Sequence, residues 1–193
     1  MIKQEVNKFT TKREEIIGRA YQVFYTQGFH ATGVDTVLQN SGISKRTMYK
    51  YFRNKEALIA AVVEYYQQLA FERIPAIMAS RTSDPIRQIL CLFDIKGEEF
   101  SEGNFTGCFA LNAKLEFESK DAGIEAACSH FYMLLEEYIA TLCAYANCKN
   151  PKMTARKVIL LFKGAVVMGQ MHHDPAAAQL ARSMAKDVLE GDR

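Results

Sequence analysis

Apolar residues recur at helical spacing along this 193-residue chain, and no stretch alternates as a half-buried strand would. An all-α fold of about nine helices follows from that periodicity. Pro85, Pro151 and Pro175 follow "RTSD", "CKN" and "HHD", where each ring can open a helix. Pro75 instead falls inside a long helical pattern and is expected to end or kink it. The first helix is expected over Thr11 to Gln27, with Ile16, Ala20 and Phe24 on one face beside Ile17 and Tyr21. Gly28 stops it and Phe29 folds back on the core. A short helix over Val34 to Asn40, capped by Thr32 or Gly33, leads to the turn "NSGI", where Gly42 supplies a permissive backbone. Ser44 is the natural N-cap of a third helix reaching Phe52, and "RNKEAL" opens a long fourth.

Charge divides this helical chain. The net charge is only +2, yet residues 1–56 hold ten Lys/Arg against five Asp/Glu, while residues 57–193 are mildly acidic. A basic head (1–56) on an acidic body (57–193) suggests that the head alone meets a polyanion. No low-complexity linker separates them, so the fourth helix is expected to belong to both. Val158 to Met171 is the longest apolar stretch, but Lys163 and Gln170 interrupt it and it is too short to span a bilayer. The N-terminus lacks a signal-peptide core, and the five cysteines form neither a CxxC pair nor an even-numbered framework. A cytoplasmic protein with reduced thiols and no membrane partner is the expectation.

Two short helices joined by a tight glycine turn, with a longer helix before them, make a three-helix helix-turn-helix head. Within "GISKRTMYKYFRNKEAL", Lys45, Arg46 and Thr47 occupy the first turn of the helix expected in the major groove. Lys and Arg can bond guanine O6 and N7, and the threonine methyl can touch thymine. Met48 and Phe52 are expected in the core. Tyr49 and Tyr51 cannot both join them, and their hydroxyls suit phosphate oxygens. Lys55 stands in the first turn of the next helix, where backbone amides and the dipole favour phosphate. The competing reading is a solvated basic helix whose aromatic rings are core.

The residues "GFHATGVDTVLQNSGISKRTMYKYFRNKEAL", Gly28 to Leu58, closely resemble the DNA-binding head of the TetR family of bacterial transcriptional regulators. Arg46 departs from the glycine that many members carry there. The resemblance implies that Thr36, Tyr49, Tyr51 and Lys55 hold phosphates, with Lys45, Arg46, Thr47 and Lys50 reading bases and Ser44 at the cap. It implies a homodimer on an approximately palindromic double-stranded operator, repressing transcription until a small hydrophobic or electrophilic effector reaches the body. Because the family dimerises through its last two long helices, it also assigns the subunit interface to Val158, Leu161, Phe162, Ala165, Met168, Leu180 and Met184. Helical periodicity by itself is equally consistent with intramolecular packing of those residues.

The middle of the chain, from Pro85 to Asn147, is then the expected sensor. "EGNFTGCFALNAKLEF" is expected to form a loop, a Thr106 cap and a helix beginning near Gly107, with Cys108 in its first turn. Backbone amides there would favour a thiolate, whereas a small buried packing residue is the plainer role. "TGCFALNAKLE" is also similar to a segment of TetR-family regulators that sense electrophiles or oxidants through a cysteine. Asn112 and Glu116 share a face with Cys108 and either orient a polar effector or meet solvent. Phe131 joins them as a candidate lining residue, although most aromatic residues here are expected to be core. The other four cysteines have no such local argument. His172, His173 and Asp174 diverge around a helix end, so capping rather than a metal site is expected. No P-loop, dinucleotide fingerprint, zinc signature or Gly-x-Ser-x-Gly elbow occurs, so neither cofactor nor enzymatic activity is expected.

Overall fold

The computed structural model describes residues 10–101, 107–117, 120–172, 174 and 176–193. Among them are nine helices: α1 (Lys12–Gln27), α2 (Val34–Leu38), α3 (Lys45–Tyr51), α4 (Lys55–Arg81), α5 (Pro85–Ser101), α6 (Phe109–Glu116), α7 (Ala122–Tyr145), α8 (Pro151–His172) and α9 (Ala176–Gly191). No strand occurs among the described residues. The chain forms two compact units, one containing the residues up to Ala70 with Cys108–Phe131, the other Phe71–Gly107 with Tyr132–Arg193. Their division falls inside α4 and α7. The unit that holds the basic head thus extends past residue 56 and includes α6.

The helix starts are local chemistry. Thr11 caps α1 in a reciprocal box with Glu14, which accepts from the Thr11 amide at 3.1 Å while Thr11 Oγ1 accepts from the Glu14 amide at 3.2 Å. Asn54 Oδ1 accepts from the Ala57 amide at 2.8 Å to open α4, and Asp84 Oδ1 accepts from the Ile86 amide at 2.8 Å to open α5. Asp174 does the same for α9 through the Ala176 amide at 2.9 Å, which is the capping role expected of that segment. The Thr106 cap and the placements of His173 and Pro175 lie outside the described residues.

Pro75 does not end a helix. The helix α4 continues through it to Arg81, although a ring nitrogen donates no backbone hydrogen bond. Buried neighbours on the same helix, Leu69, Ala70 and Met78, supply packing that a local rule for proline does not count.

In the head unit, Ile16, Ala20 and Phe24 of α1 are buried with Phe29 behind them, as the sequence implied. The Phe24 and Phe29 rings lie 5.5 Å apart, and Arg13 sits 5.3 Å over the Phe52 ring at the end of α3. In the other unit α9 packs against α8 and α5. Gly169 permits close packing there, since a Cβ on it would lie 2.6 Å from the Phe100 ring of α5.

Candidate nucleic-acid interface

The turn between α2 and α3 is built from backbone conformations that few residues adopt. Asn40 (φ 56°) and Gly42 (φ 69°) both occupy the left-handed region. Ser41 Oγ ties the turn together, donating to the Leu38 carbonyl at 2.6 Å and accepting from the Ile43 amide at 3.0 Å. Ser44 then caps α3, its Oγ accepting from the Thr47 amide at 3.0 Å and lying 2.9 Å from Thr47 Oγ1.

That cap fixes the rotation of α3. Met48 and Phe52 are buried and anchor its inner face. Tyr49 and Tyr51 are 48% and 46% exposed, far too open for core phenols. Lys45, Arg46 and Lys50 are exposed beside them, with Thr47 half-buried. Thr36 on α2 and Lys55 at the start of α4 are also half-buried. One short helix therefore presents cations and phenol hydroxyls outward on a rigid inner edge, a chemistry suited to a phosphate-walled groove.

Asp35, which the sequence reading passed over, modifies this surface. Its Oδ2 lies 2.8 Å from Lys45 Nζ, and this hydrogen bond holds the Lys45 ammonium pKa above the usual lysine value. Both side chains are open to water, so the pair adds little stability. Its consequence is electrostatic, because a carboxylate stands beside the first cation of α3. Asp35→Asn is expected to raise affinity for duplex DNA of any sequence by a few-fold, read by anisotropy at low salt. An unchanged affinity would show that Lys45 takes no part in binding.

The α6 helix starts later than the sequence suggests. It begins at Phe109, and Cys108 is the N-cap residue with no side-chain capping bond, rather than a member of the first turn. Cys108 is buried, as are the other four thiols. Glu116 is engaged within the protein. Its Oε2 accepts from the His30 amide at 2.9 Å, and its backbone carbonyl accepts from His30 Nε2 at 3.0 Å. A carbonyl only accepts, so the hydrogen-bonded imidazole carries its proton on Nε2. The ring also stacks on Phe117, with centroids 4.7 Å apart. Glu116 thus clamps the α1–α2 turn. Asn112 is half-buried, and Phe131 is core, its ring 5.5 Å from that of Tyr66. None of these four lines the cavity of about 660 Å³ in the other unit, which is bounded by residues including Arg81, Arg87, Cys91, Asp94 and Arg182. Its cations are largely compensated. Arg81 bonds Glu98 through both terminal nitrogens, and Arg182 Nε lies 2.8 Å from Asp94 without hydrogen-bond alignment.

The sequence pattern of bacterial regulatory proteins of the tetR family matches residues 16–62, which contain all three elements of this interface. The head is that of a tetR-family regulator. It is 22% identical over 195 residues to the transcriptional repressor NemR of Escherichia coli K12, a match covering 95% of this chain and 98% of NemR. The regulator YerO of Bacillus subtilis is 32% identical over 79 residues, which are 41% of this chain and only 27% of YerO. Two solved structures share the fold. A TetR-family regulator of Streptomyces coelicolor superposes with TM-score 0.81 at 20% identity over 93% of this chain and 95% of its own. The reduced form of E. coli NemR gives 0.82 at 19% over 91% and 95%. A head of this family is the DNA-binding module of transcriptional regulators. Among the described residues no helix is long and apolar enough to cross a membrane.

The expected dimer face divides in two. Val158, Phe162 and Ala165 turn into the core of their own unit, where the Phe162 ring meets Phe93 edge-on at 5.8 Å and Lys96 at 5.9 Å. They keep little exposed surface in the single chain. Leu161 is half-buried, while Met168, Leu180 and Met184 are open. Leu160 and Met171, missed in the sequence, are exposed too. Leu160, Gly164, Met168 and Met171 follow one another at helical spacing on α8, as Leu180 and Met184 do on α9.

Proposed function

We propose that this protein is a homodimeric cytoplasmic repressor that leaves a palindromic operator when a small molecule binds its C-terminal region. The outward face of α3, with Lys45, Arg46, Tyr49, Lys50 and Tyr51 open above a buried Met48 and Phe52, carries the reading. On DNA, Tyr49, Tyr51, Thr36 and Lys55 hold phosphates while Lys45, Arg46, Thr47 and Lys50 meet base edges. Ser44 fixes the helix and its cap bond orients Thr47. A two-fold dimer supplies the second half-site. The route for release is α4, whose first part belongs to the head unit and whose last part belongs to the other. An effector displaces the operator only by binding the DNA-incompetent state better. Selection of bound duplexes from a randomised pool tests the proposal. An enriched palindrome supports it, and uniform salt-sensitive binding without enrichment overturns it.

Two substitutions separate the roles on α3 and α4. Lys55→Ala is expected to weaken all sequences alike and flatten the slope of log K against log salt by about 0.9, one phosphate contact. Arg46→Ala is expected to change sequence preference, with about 1–3 kcal/mol lost at one base position. Uniform weakening by Arg46→Ala would remove its base-reading role.

A second reading has Cys108 as the switch, modified by an electrophile or oxidant. Its support is the cysteine's place at the start of α6 and the full-length likeness to NemR, one structure of which is a reduced form. Mass spectrometry after graded N-ethylmaleimide exposure tests it. Cys108 must react ahead of the other four thiols, or the reading fails.

A further inference from the structure

The end of α7 brings two cysteines together. The Cys148 amide donates to the Cys143 carbonyl at 3.1 Å, and the Asn147 amide donates to the Ala144 carbonyl at 3.0 Å. Asn147 takes φ 60° between them. This is a Schellman turn, in which the third-from-last helical residue and the second residue beyond the cap approach each other and usually make an apolar contact. Here both are thiols. Cys143 is fully buried and Cys148 is 7% exposed. The two thiols lie close enough to interact with each other. A six-to-one turn holds the two backbones within a span compatible with a disulfide, about 4.4–6.8 Å between Cα atoms.

The surroundings hold the turn in place. Asp192, just after α9, accepts from the Lys149 amide through its carbonyl at 2.7 Å. Its carboxylate accepts from the Asn150 amide at 3.0 Å and from Thr154 Oγ1 at 2.6 Å. The α7–α8 connection is therefore fixed from both sides, and the sulfurs need not search for each other.

We propose that Cys143 and Cys148 are a redox-convertible dithiol, oxidised by hydroperoxides to an intrachain disulfide across the turn that ends α7. Cys148, the more accessible sulfur, attacks as thiolate. It bonds to the terminal peroxide oxygen and breaks the O–O bond, and the departing oxygen takes up a proton to give water or an alcohol. The Cys143 sulfur then attacks the resulting sulfenic acid. An S–S bond forms, the S–O bond breaks, and the hydroxyl leaves with the Cys143 proton as water. Two thiols are oxidised and one peroxide is reduced. Burial pushes both thiols up, Cys143 to about 12, so little thiolate is present at neutral pH and attack is slow. The site is independent of the Cys108 reading, because these residues lie in the other unit.

The test uses the full chain, reduced and then exposed to graded hydrogen peroxide, denatured, alkylated and mapped by mass spectrometry. Alkylated thiols should fall from five to three, the two lost being Cys143 and Cys148 in one linked peptide, and dithiothreitol should restore them. The initial rate should rise about tenfold from pH 7 to pH 8, following the thiolate fraction below the thiol pKa. Cys148→Ser should leave Cys143 alkylatable with no linked peptide. Retention of all five thiols, linkage to another cysteine, or sulfinic acid at Cys148 without linkage would each overturn the proposal.

Discussion

Phe109→Ala is expected to cost about 3–5 kcal/mol of stability, the range for emptying a buried phenylalanine site. Phe109 opens α6 and is 2% exposed. Its ring lies 5.3 Å from Tyr21, 6.2 Å from Tyr25, 4.9 Å from Phe29 and 5.4 Å from Tyr66. Truncation removes one member of four aromatic pairs at once, and the surrounding rings belong to α1, the α1–α2 turn and α4, which cannot all move inward together. At roughly 2–4 °C per kcal/mol for a domain of this size, the thermal midpoint should drop by on the order of 10 °C at fixed protomer concentration. Phe109→Leu should recover more than half of that. A drop of less than about 2 °C for the alanine variant would show that the cluster collapses around the gap and is no anchor.

The same cluster explains why α6 matters to the head. Phe109 and the Glu116–His30 bonds together join α6 to the α1–α2 turn within one unit. None of this was legible in the sequence. Histidine after Gly28-Phe29 carries no periodic signal, and its partner stands 86 residues away. Local chemistry was legible. Ser44 before the basic run, Gly42 in the turn and the inward Met48 and Phe52 all depend on neighbours within a few positions. The Cys143–Cys148 contact lay between these cases, because a spacing of five suggests nothing until Asn147 is seen to turn left-handed.

The dimer face shows the same limit more sharply. Periodicity identified α8 as apolar almost all round and α9 as apolar along one side, but rotation about a helix axis decides which side is spent. On α9, Ala177, Ala181, Ala185 and Leu189 share the buried face. Leu180 and Met184 lie about 100° to one side of that line, from 3.6 residues per turn, and are open. Small alanines inside let α9 approach α8 and α5 closely and leave the larger side chains outside. Sequence hydrophobicity ranks the α9 residues the other way round, and on α8 Val158, Phe162 and Ala165 are likewise buried in their own unit.

Leu180→Glu with Met184→Glu is therefore expected to convert a dimer into a monomer without unfolding it. Leu180 and Met184 are 66% and 47% exposed, so in the isolated chain the charges meet water at little cost. Buried against a second subunit, each carboxylate would lose its hydration with no partner named on either helix face. Loss of the second head removes the effective concentration that links two half-sites, lowering affinity for a palindromic operator by about 10²–10⁴-fold. Light scattering and anisotropy on the same preparation read the two effects together. Leu115→Glu, at an equally open leucine on α6, is the control and should alter neither mass nor operator affinity. A double variant that remains dimeric would move the interface away from this face of α9. One that becomes monomeric yet keeps full operator affinity would contradict the two-half-site geometry itself.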